Sequence, residues 1–300
     1  MTGITQDWLE AFTAHIVAGD NRRALSALER RSTGHAGTPK AEDKRAATAA
    51  VVRACGGRPE ALAHWARWFA EQPAATAKEL AAMLLVHSYP HHQQEALGLL
   101  RALCDDAHWE VREWGGSAAG ELLDGCFEEV YPEVERWARD ASQFVRRAVC
   151  LAVRGATNRR KPERCQPLFR LAEPLLPDRA EEVRRNLGPF AVGKLLEHYP
   201  DQTIEHVRRW AQSADEMVRW NAAMVFVSAA ARAHTEAALE ILSRLASDRR
   251  RLVWMAVGSA LRNLVKRDPE RVIPALRGWL ADERRLPAAL ALRQTTVPER

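Results

Sequence analysis

The sequence lacks the features that mark secreted, membrane-spanning or strand-rich proteins. Its five cysteines are scattered, with no Cys-x-x-Cys pair, which is typical of reduced thiols in a cytosolic protein. No apolar run approaches the roughly 18 residues of a membrane span, no charged-then-apolar signal pattern stands at the beginning, and no stretch alternates apolar and polar residues. We therefore expect a soluble, cytoplasmic, all-α protein with no membrane partner, associated with the nucleoid if the source is bacterial.

The sequence also gives little reason to expect a metal or a cofactor. His87, His91 and His92 cluster, but Pro90 breaks the helix between them. The glycine-rich stretch at 115–120 lies within a predicted helix rather than after a strand, so it does not form a phosphate-binding loop. We expect a monomer that uses neither a metal nor a cofactor.

Apolar residues, tryptophan and a mild excess of positive charge are what the sequence does contain. Hydrophobic residues make up 47% of the chain, which is enough for a substantial core. Lysine and arginine number 44 against 39 aspartates and glutamates, and this excess permits an anionic partner without requiring one. Ten tryptophans accompany only three tyrosines and seven phenylalanines, so tryptophan is the aromatic residue to follow.

A pattern of one aspartate and a later Val-Arg pair recurs along the chain, with the arginine six residues after the aspartate. The copies are Asp106…Val111-Arg112, Asp140…Val145-Arg146, Asp178…Val183-Arg184, and two looser ones, Ser213…Val218-Arg219 (with the aspartate displaced to Asp215) and Asp248…Val253-Trp254. Successive valines are 34, 38, 35 and 35 residues apart, and such a period in helical sequence predicts a stacked-repeat solenoid.

The repeating aspartate and arginine resemble those of HEAT repeats. We expect each aspartate at the start of a second helix, where it accepts free backbone N–H groups, and each arginine to reach the aspartate of the next repeat. The fold class we predict is all-α, a HEAT-like helical-repeat solenoid (α-α superhelix) with a concave basic groove. Residues 1–57 are predicted as N-terminal helices that cap the solenoid, 58–285 as the repeat domain, and 286–300 as a frayed C-terminal tail.

Several element boundaries bear on the later description. The N-terminal loop is predicted over Ser32–Asp43 and the helix after it over Ala46–Cys55. Long second helices are predicted over 108–124, 179–198 and 215–232.

The position after the repeated arginine holds charged or large residues in every copy. These residues are Glu113, Arg147, Arg185, Trp220 and Met255. Such side chains are costly to bury, so the column they form indicates an open face, and basic groups interleaved with aromatics suit a DNA backbone. The residues that we predict to contact DNA are Trp114, Arg147, Arg154, Arg185, Trp220, Trp254, Arg262 and Lys266. The alternative is a solvated charged face.

The first copy of the pattern adds a distinctive pair, Trp109 and Glu113. One helical turn separates them, so they share a face on which an indole can pack against a sugar or base while the carboxylate opposes developing positive charge. Glycines 115, 116 and 120 each cost a helix roughly 1 kcal/mol relative to alanine. Close helix packing and close approach of a bulky ligand are both open as reasons for them.

Three segments resemble the HEAT-like alkylpurine DNA glycosylases, the AlkC/AlkD-type DNA alkylation repair enzymes. Val253–Val272 is similar to the C-terminal repeat of that family, and Phe144–Val149 is similar to a middle repeat that supplies an arginine to the DNA backbone. Trp109-x-x-x-Glu113 is similar to the family's Trp-x-x-x-Asp, in which the acid is catalytic. Glutamate here replaces that aspartate, and Ser259 stands where an aromatic residue is expected.

The resemblance implies excision of cationic N3- or N7-alkylated purines from double-stranded DNA. Glu113 would stabilise an oxocarbenium-like sugar and orient water, with Trp109 against the deoxyribose. Because a helical groove offers no obvious deep pocket, we expect contact with the backbone and sugar rather than full extrusion of the base. The alternative function is a non-catalytic HEAT-repeat scaffold that binds DNA or protein.

Overall fold

The structure is a computed structural model that describes residues 6–34 and 36–293. These residues are largely helical and contain no β-strand beyond one isolated bridge between Thr33 and Pro39. The α-helices are α1 (Gln6–Val17), α2 (Asn21–Glu29), α3 (Ala41–Cys55), α4 (Pro59–Glu71), α5 (Ala75–Ser88), α6 (Gln93–Cys104), α7 (Trp109–Gly125), α8 (Phe127–Trp137), α9 (Gln143–Ala156), α10 (Cys165–Ala172), α11 (Glu181–Asn186), α12 (Gly193–His198), α13 (Pro200–Trp210), α14 (Glu216–Met224), α15 (Thr235–Leu245), α16 (Arg251–Arg267), α17 (Pro269–Leu280) and α18 (Leu286–Arg293). Within this described part, every helix is too short or too polar to cross a membrane.

The chain divides into two compact units, Met1–Glu133 and Val134–Arg300. In the first unit, α3, α5 and α7 pack side by side as second helices, while α4 packs against α5 and α6 against α7. In the second unit, α9 packs against α11, and α14 against α16, with α13, α15 and α17 as first helices. The predicted HEAT-like helical-repeat architecture is thus confirmed. Helix α3, the last of the helices predicted to cap the solenoid, packs directly on α5.

The repeated valines lie in the core of the stack. Val111, Val145, Val183 and Val253 have no exposed surface, and Val218, in the copy with the displaced aspartate, is half-buried. Burying a valine side chain contributes about 1.5–3 kcal/mol. The valine period therefore marks the face on which each second helix packs.

The repeated arginines join the turns of neighbouring repeats, as predicted. Arg146 Nε lies 2.6 Å from Asp178 Oδ2, and Arg219 Nη1 lies 2.8 Å from Asp248 Oδ2. Arg146 Nη1 also donates to the carbonyl of Asp140 at 2.8 Å, within its own turn. Arg146 and Arg219 therefore each satisfy a carbonyl of one turn and the carboxylate of the next.

The repeated aspartates, however, do not cap the second helices. Asp106 Oδ1 accepts the backbone N–H of His108 at 2.7 Å, and Asp140 Oδ1 accepts that of Ser142 at 2.9 Å. His108 and Ser142 are themselves the N-cap residues, so each aspartate instead closes the turn that precedes the helix. In the copy with the displaced aspartate, Asp215 is the N-cap residue of α14 and accepts from Met217 N at 2.6 Å.

The predicted helix over 179–198 is interrupted in the structure. Leu187–Val192 forms a π-helical turn between α11 and α12. Pro189 lies inside this segment, where it cannot donate an intrahelical hydrogen bond. At Gly188 a Cβ would come within 3.0 Å of Met224 Cβ, so the wider turn sits directly against α14. Single π-helical turns are uncommon in proteins, and those that occur often lie at functional sites.

The predicted helix over 215–232 also ends early, at Met224. Two 3-10 turns, Val225–Val227 and Ala229–His234, follow it, with Ser228 extended between them. Arg267 Nη1 donates to the carbonyls of Val227 and Ser228 at 3.1 and 2.8 Å. A side chain from α16 thus satisfies carbonyls that a continuous helix would have used.

Both ends of the described chain differ from the sequence prediction. Helix α3 begins at Ala41, five residues before the predicted helix, so Lys44, which fell between the predicted loop and the predicted helix, is helical. The segment predicted as a frayed tail from 286 forms α18, which packs against α16 and buries Ala288 and Ala289. Small apolar residues in this helix permit that close packing; residues 294–300 lie outside the described part of the chain.

Candidate functional site

Trp109 begins α7 and is the one tryptophan of the described chain that is exposed, at 46% of its surface. The ring of His108 stacks on it with the centroids 6.4 Å apart and an interplanar angle of 16°. His108 Nδ1 in turn accepts the backbone N–H of Glu110 at 3.3 Å, which caps the helix. The indole is therefore held at a fixed helix start while most of one side faces solvent.

Glu113 lies one turn after Trp109 on α7 and is half-buried. No residue of the column to which it belongs is fully buried: Glu113 and Trp220 are half-buried, the Arg147 side chain is 12% exposed, and Arg185 and Met255 are exposed. The valine two residues earlier in each copy is buried in four of the five copies. This contrast separates the packed side of each second helix from its accessible side.

Another carboxylate at the start of α7, Glu110, belongs to a buried polar cluster that we name the Lys44 cluster: Thr38, Lys44, Glu79, Glu110 and Trp114. Lys44 Nζ is 2.7 Å from Glu79 Oε2 and 3.0 Å from Glu110 Oε1. The side chains of Lys44 and Glu79 are fully buried, and that of Glu110 is 16% exposed. Thr38 Oγ1 donates to Glu110 Oε2 at 3.0 Å.

The two carboxyl groups of the Lys44 cluster are shifted in opposite directions. Burial raises the pKa of Glu79, and the hydrogen bond from Lys44 offsets only part of this rise. Burial also opposes ionisation of Glu110, but hydrogen bonds from Lys44, Thr38 and Trp114 outweigh it and hold its pKa below the usual value. Glu110 is therefore the ionised partner of Lys44, and Glu79 is the carboxyl that more readily holds a proton.

Trp114 connects this cluster to a cleft in the first unit. Its ring lies 5.0 Å from Lys44 Nζ and 5.5 Å from Arg45 Cζ. The cleft has a volume of about 540 Å³ and lies between α3, α5 and α7. A cleft of this size was not predicted from the sequence. Ala49 of α3 and Ala118 of α7 are small residues that line this space.

The glycines of α7 are explained at least in part by packing. A Cβ at Gly115 would lie 3.1 Å from the backbone nitrogen and from the Sγ of Cys104. Gly116 and Gly120 are buried as well. At Gly115 the close approach of α6 therefore decides between the two readings that the sequence left open.

The residues of the second unit that were predicted to contact DNA differ in how they are held. Arg147 is mostly buried, with Nε 3.5 Å from Glu182 Oε2, and the Arg185 side chain forms an ion pair with Glu181. Arg184 lies over the ring of Trp220, 5.3 Å from its centroid. These contacts give Arg147 and Trp220 structural roles within the stack.

The remaining predicted contacts of this unit are more accessible. Arg262 Nη2 donates to Ser259 Oγ at 2.7 Å, so the residue that replaces the expected aromatic positions a guanidinium. Trp254 is half-buried, and Arg154 and Lys266 are exposed. The predicted residues thus fall into two sets: Trp109, Glu113 and Trp114 on α7 of the first unit, and the others on the second unit.

Two features of these surfaces escaped the sequence analysis. Phe190 is 53% exposed at the π-helical turn, although a phenylalanine in a continuous helix would be expected in the core. Lys44 fell between the predicted loop and the predicted helix, and its partners are 35 and 66 residues away in sequence. The interior proline at 189 was an available signal for the first; no local pattern signals the second.

The described residues contain no group of three or more His, Cys, Asp or Glu side chains placed to hold a metal ion. No protein among the curated sequences matches the chain. Among solved structures, a Kap121p mutant is similar at 11% identity and a TM-score of 0.49, covering 97% of this chain and 33% of that one, so this chain spans about a third of that protein. Two designed armadillo repeat proteins also match: one in complex with the peptide (KR)4, at 19% identity and a TM-score of 0.34, and one designed for modular peptide recognition, at 22% and 0.33. Each covers 71% of this chain and 97% of its own.

A family model described as "DNA alkylation repair enzyme" matches residues 40–190 and 186–296. The match includes α7 with Trp109 and Glu113, the Lys44 cluster except Thr38, and all the repeated arginines. Since these two segments cover well over half of the sequence, the chain belongs to the family of DNA alkylation repair enzymes.

Proposed function

We propose that this protein binds alkylated double-stranded DNA and releases cationic N3- or N7-alkylated purines by hydrolysis of the N-glycosidic bond. Membership of the DNA alkylation repair family supports an action on damaged DNA. The observation that carries the proposal is the pair on α7: the exposed indole of Trp109 with the carboxylate of Glu113 one turn away.

The exposed part of the Trp109 side chain offers a surface that a ligand can cover. Tryptophan buries 150–250 Å² when it packs, so leaving about half of its ring in water forgoes a large stabilisation. The deoxyribose beside a lesion offers both an apolar face and, in the transition state, positive charge, which the electron-rich face of an indole attracts. Trp109 therefore suits a sugar whose base is departing.

In the proposed reaction the purine leaves before strong attack by water. Alkylation at N3 or N7 gives the base a positive charge, so the C1′–N9 bond breaks with its electron pair going to the base, which becomes neutral. The sugar becomes oxocarbenium-like, and the Glu113 carboxylate stabilises this charge. A water molecule then adds through oxygen to C1′, and Glu113 accepts the proton that it loses. The products are the free alkylpurine and an abasic site.

Basic residues of the second unit would bind DNA phosphates. Exposed Arg154 and Lys266 suit phosphates, each contact releasing condensed counterions.

The test is release of 3-methyladenine or 7-methylguanine from alkylated duplex DNA, measured by chromatography. Glu113→Gln is expected to lower the single-turnover rate by about 10²–10³-fold with little change in DNA affinity. Glu128→Gln, an exposed glutamate of α8, is the matched control and is expected to keep the wild-type rate.

The alternative of a non-catalytic scaffold gives a different result. No release of any alkylpurine by the wild type, together with DNA binding that weakens steeply with salt, would identify a DNA-binding scaffold. Neither release nor salt-dependent DNA binding would identify a protein scaffold. Release that is unchanged in Glu113→Gln would refute only the role given to Glu113.

A further inference from the structure

The cleft in the first unit has the size of a small-ligand site. Its volume of about 540 Å³ falls within the roughly 300–1,000 Å³ that is usual for such sites. Ala49, Val52 and Met83 give it apolar walls, and Trp114 supplies the large aromatic surface. Ser117, one turn after Glu113 on α7, lies at its edge. The cleft thus begins where the Trp109–Glu113 face ends.

Trp114 is held rigidly before any ligand arrives. Lys44 Nζ lies over its ring at 5.0 Å from the centroid, and Arg45 Cζ lies over it at 5.5 Å. Because Glu110 and Lys44 are themselves tied to Thr38 and Glu79, the ring is braced by the whole Lys44 cluster. A ring that is already ordered costs little conformational entropy on binding, which makes it a favourable stacking platform.

The rim of the cleft is positively charged. Arg45 and Arg53, both exposed on α3, line it, and Glu121 of α7 is the carboxylate that faces them. The Arg45 guanidinium lies over the Trp114 ring, 5.5 Å from its centroid, so this exposed cation is next to the aromatic surface that a base would use. This arrangement suits a ligand with a flat aromatic body and an anionic group attached to it.

We infer that this cleft binds a single unpaired nucleotide, with its base stacked on Trp114 and its phosphate paired with Arg45. A base has a flat face that stacks on aromatic side chains irrespective of its sequence, and a phosphate beside it carries the charge that Arg45 neutralises. This activity goes beyond base excision, since it requires no bond cleavage and uses residues other than Glu113. The nucleotide can come from a displaced position in a DNA strand or from a free mononucleotide.

The experiment compares a fully paired DNA duplex with the same duplex carrying one unpaired adenine in the middle, each labelled for fluorescence anisotropy. The wild-type protein is expected to bind the duplex with the unpaired adenine about 5- to 100-fold more tightly, the range that one base–aromatic stack provides. With 2-aminopurine in place of that adenine, stacking on Trp114 is expected to quench the fluorescence on binding. Competition by adenosine 5′-monophosphate shows whether the free nucleotide also enters the cleft.

Two variants disturb the cleft without touching the Lys44 cluster's ion pairs. Ala49→Leu fills the cleft, and Ala102→Leu, at an exposed alanine of α6, adds the same side chain elsewhere. Arg45→Gln removes the rim charge, and Arg22→Gln, at an exposed arginine of α2, removes an equal charge elsewhere. Ala49→Leu and Arg45→Gln are expected to abolish most of the preference for the unpaired adenine, and the two controls to keep it.

Equal affinity of the wild type for the two duplexes would overturn the inference, as would cleft variants that behave like their controls. Preference for the unpaired adenine without any alkylpurine release would leave the inference standing and remove the proposed glycosylase function. Release of alkylpurines with no such preference would support the glycosylase function and overturn nucleotide binding in the cleft. The two proposals are therefore tested separately.

Discussion

Replacing Lys44 by methionine is expected to destabilise the first unit by about 3–5 kcal/mol at pH 7. The Lys44 side chain is fully buried, and its ammonium group bonds Glu79 at 2.7 Å and Glu110 at 3.0 Å. Methionine is of similar length, so the packing of the stem is largely kept. The loss comes from Glu79, whose fully buried carboxyl would no longer have the Lys44 cation beside it.

The destabilisation caused by Lys44→Met should depend on pH. Burial raises the pKa of Glu79 in the wild type, and the Lys44 hydrogen bond opposes that rise. Without Lys44 the pKa rises further, so the folded state binds a proton that the unfolded state releases near pH 4.3. A group with a raised folded pKa favours folding below its unfolded pKa and loses that contribution as the pH rises. The destabilisation should therefore grow from pH 5 to pH 7, by at most about 1.4 kcal/mol per pH unit for one proton.

Urea unfolding followed by circular dichroism at pH 5 and pH 7 measures both effects. Lys40→Met, at an exposed lysine one turn earlier in the chain, is the control and should change the free energy of unfolding by less than about 0.5 kcal/mol. The double variant Lys44→Met/Glu79→Leu should recover much of the loss, because it removes the stranded carboxyl. A loss below about 1 kcal/mol for Lys44→Met at pH 7, or an equal loss at both pH values, would refute the reasoning.

Two further predictions concern the packing of α7 and the ion pairs between the repeated arginines and aspartates. Gly115→Ala should lower the free energy of unfolding by about 1–3 kcal/mol in chemical denaturation, because its Cβ would press on the backbone of Cys104. Gly98→Ala, where a Cβ would meet no atom within 4 Å, should raise the free energy of unfolding by about 0.5–1 kcal/mol. A similar effect at both positions would contradict the packing argument. Asp248→Asn should cost about 1–3 kcal/mol at pH 7, because hydrogen bonds from Arg250 and Arg219 hold the pKa of Asp248 well below its usual range. That contribution is present above the unfolded pKa near 3.9 and is lost as the pH falls through the folded value, so the two proteins should converge in acid; a constant difference down to pH 2 would contradict it.

The repeat architecture was predictable because the residues that define it recur at a short and regular spacing. The repeated valine and the repeated arginine recur about every 35 residues. The valine packs in the core, and the arginine needs hydrogen-bond partners in the neighbouring turns. The link between Arg146 and Asp178 follows from that period alone. Lys78 Nζ lies 2.6 Å from Asp106 Oδ2, so the same kind of ion pair joins an earlier repeat to this one. The sequence pattern did not predict this pair, because it has lysine in place of arginine.

Departures from regular helix were harder to predict because they depend on distant contacts. The π-helical turn at Leu187–Val192 requires Gly188 to meet α14, and the end of α14 requires Arg267 to reach two carbonyls 39 and 40 residues away. Spacing within one helix contains no information about either neighbour. The same holds for Lys44, whose burial depends on α5 and α7.

The candidate site shows the same division between local and distant information. Trp109 and Glu113 were identified from a spacing of one turn, and the exposure of Trp109 is consistent with that interpretation. Arg147, identified from its column, is instead mostly buried against Glu182. A column position indicates which way a side chain points, whereas the charge of the residue opposite decides whether the side chain is available to a ligand.

The two carboxylates at the start of α7 show why spacing alone does not assign a role. Glu110 directly follows Trp109, yet it accepts hydrogen bonds from Lys44 and Thr38, and its ionised form is already compensated by a buried ammonium. A carboxylate in that state adds little to the potential felt by a cationic sugar outside the helix, since its field is largely cancelled by Lys44. Glu113 lies on the Trp109 face instead, and the ionised Glu110 serves to orient Trp114. Neutralising Glu110 should therefore alter the cleft before it alters chemistry at Trp109, whereas neutralising Glu113 should do the reverse.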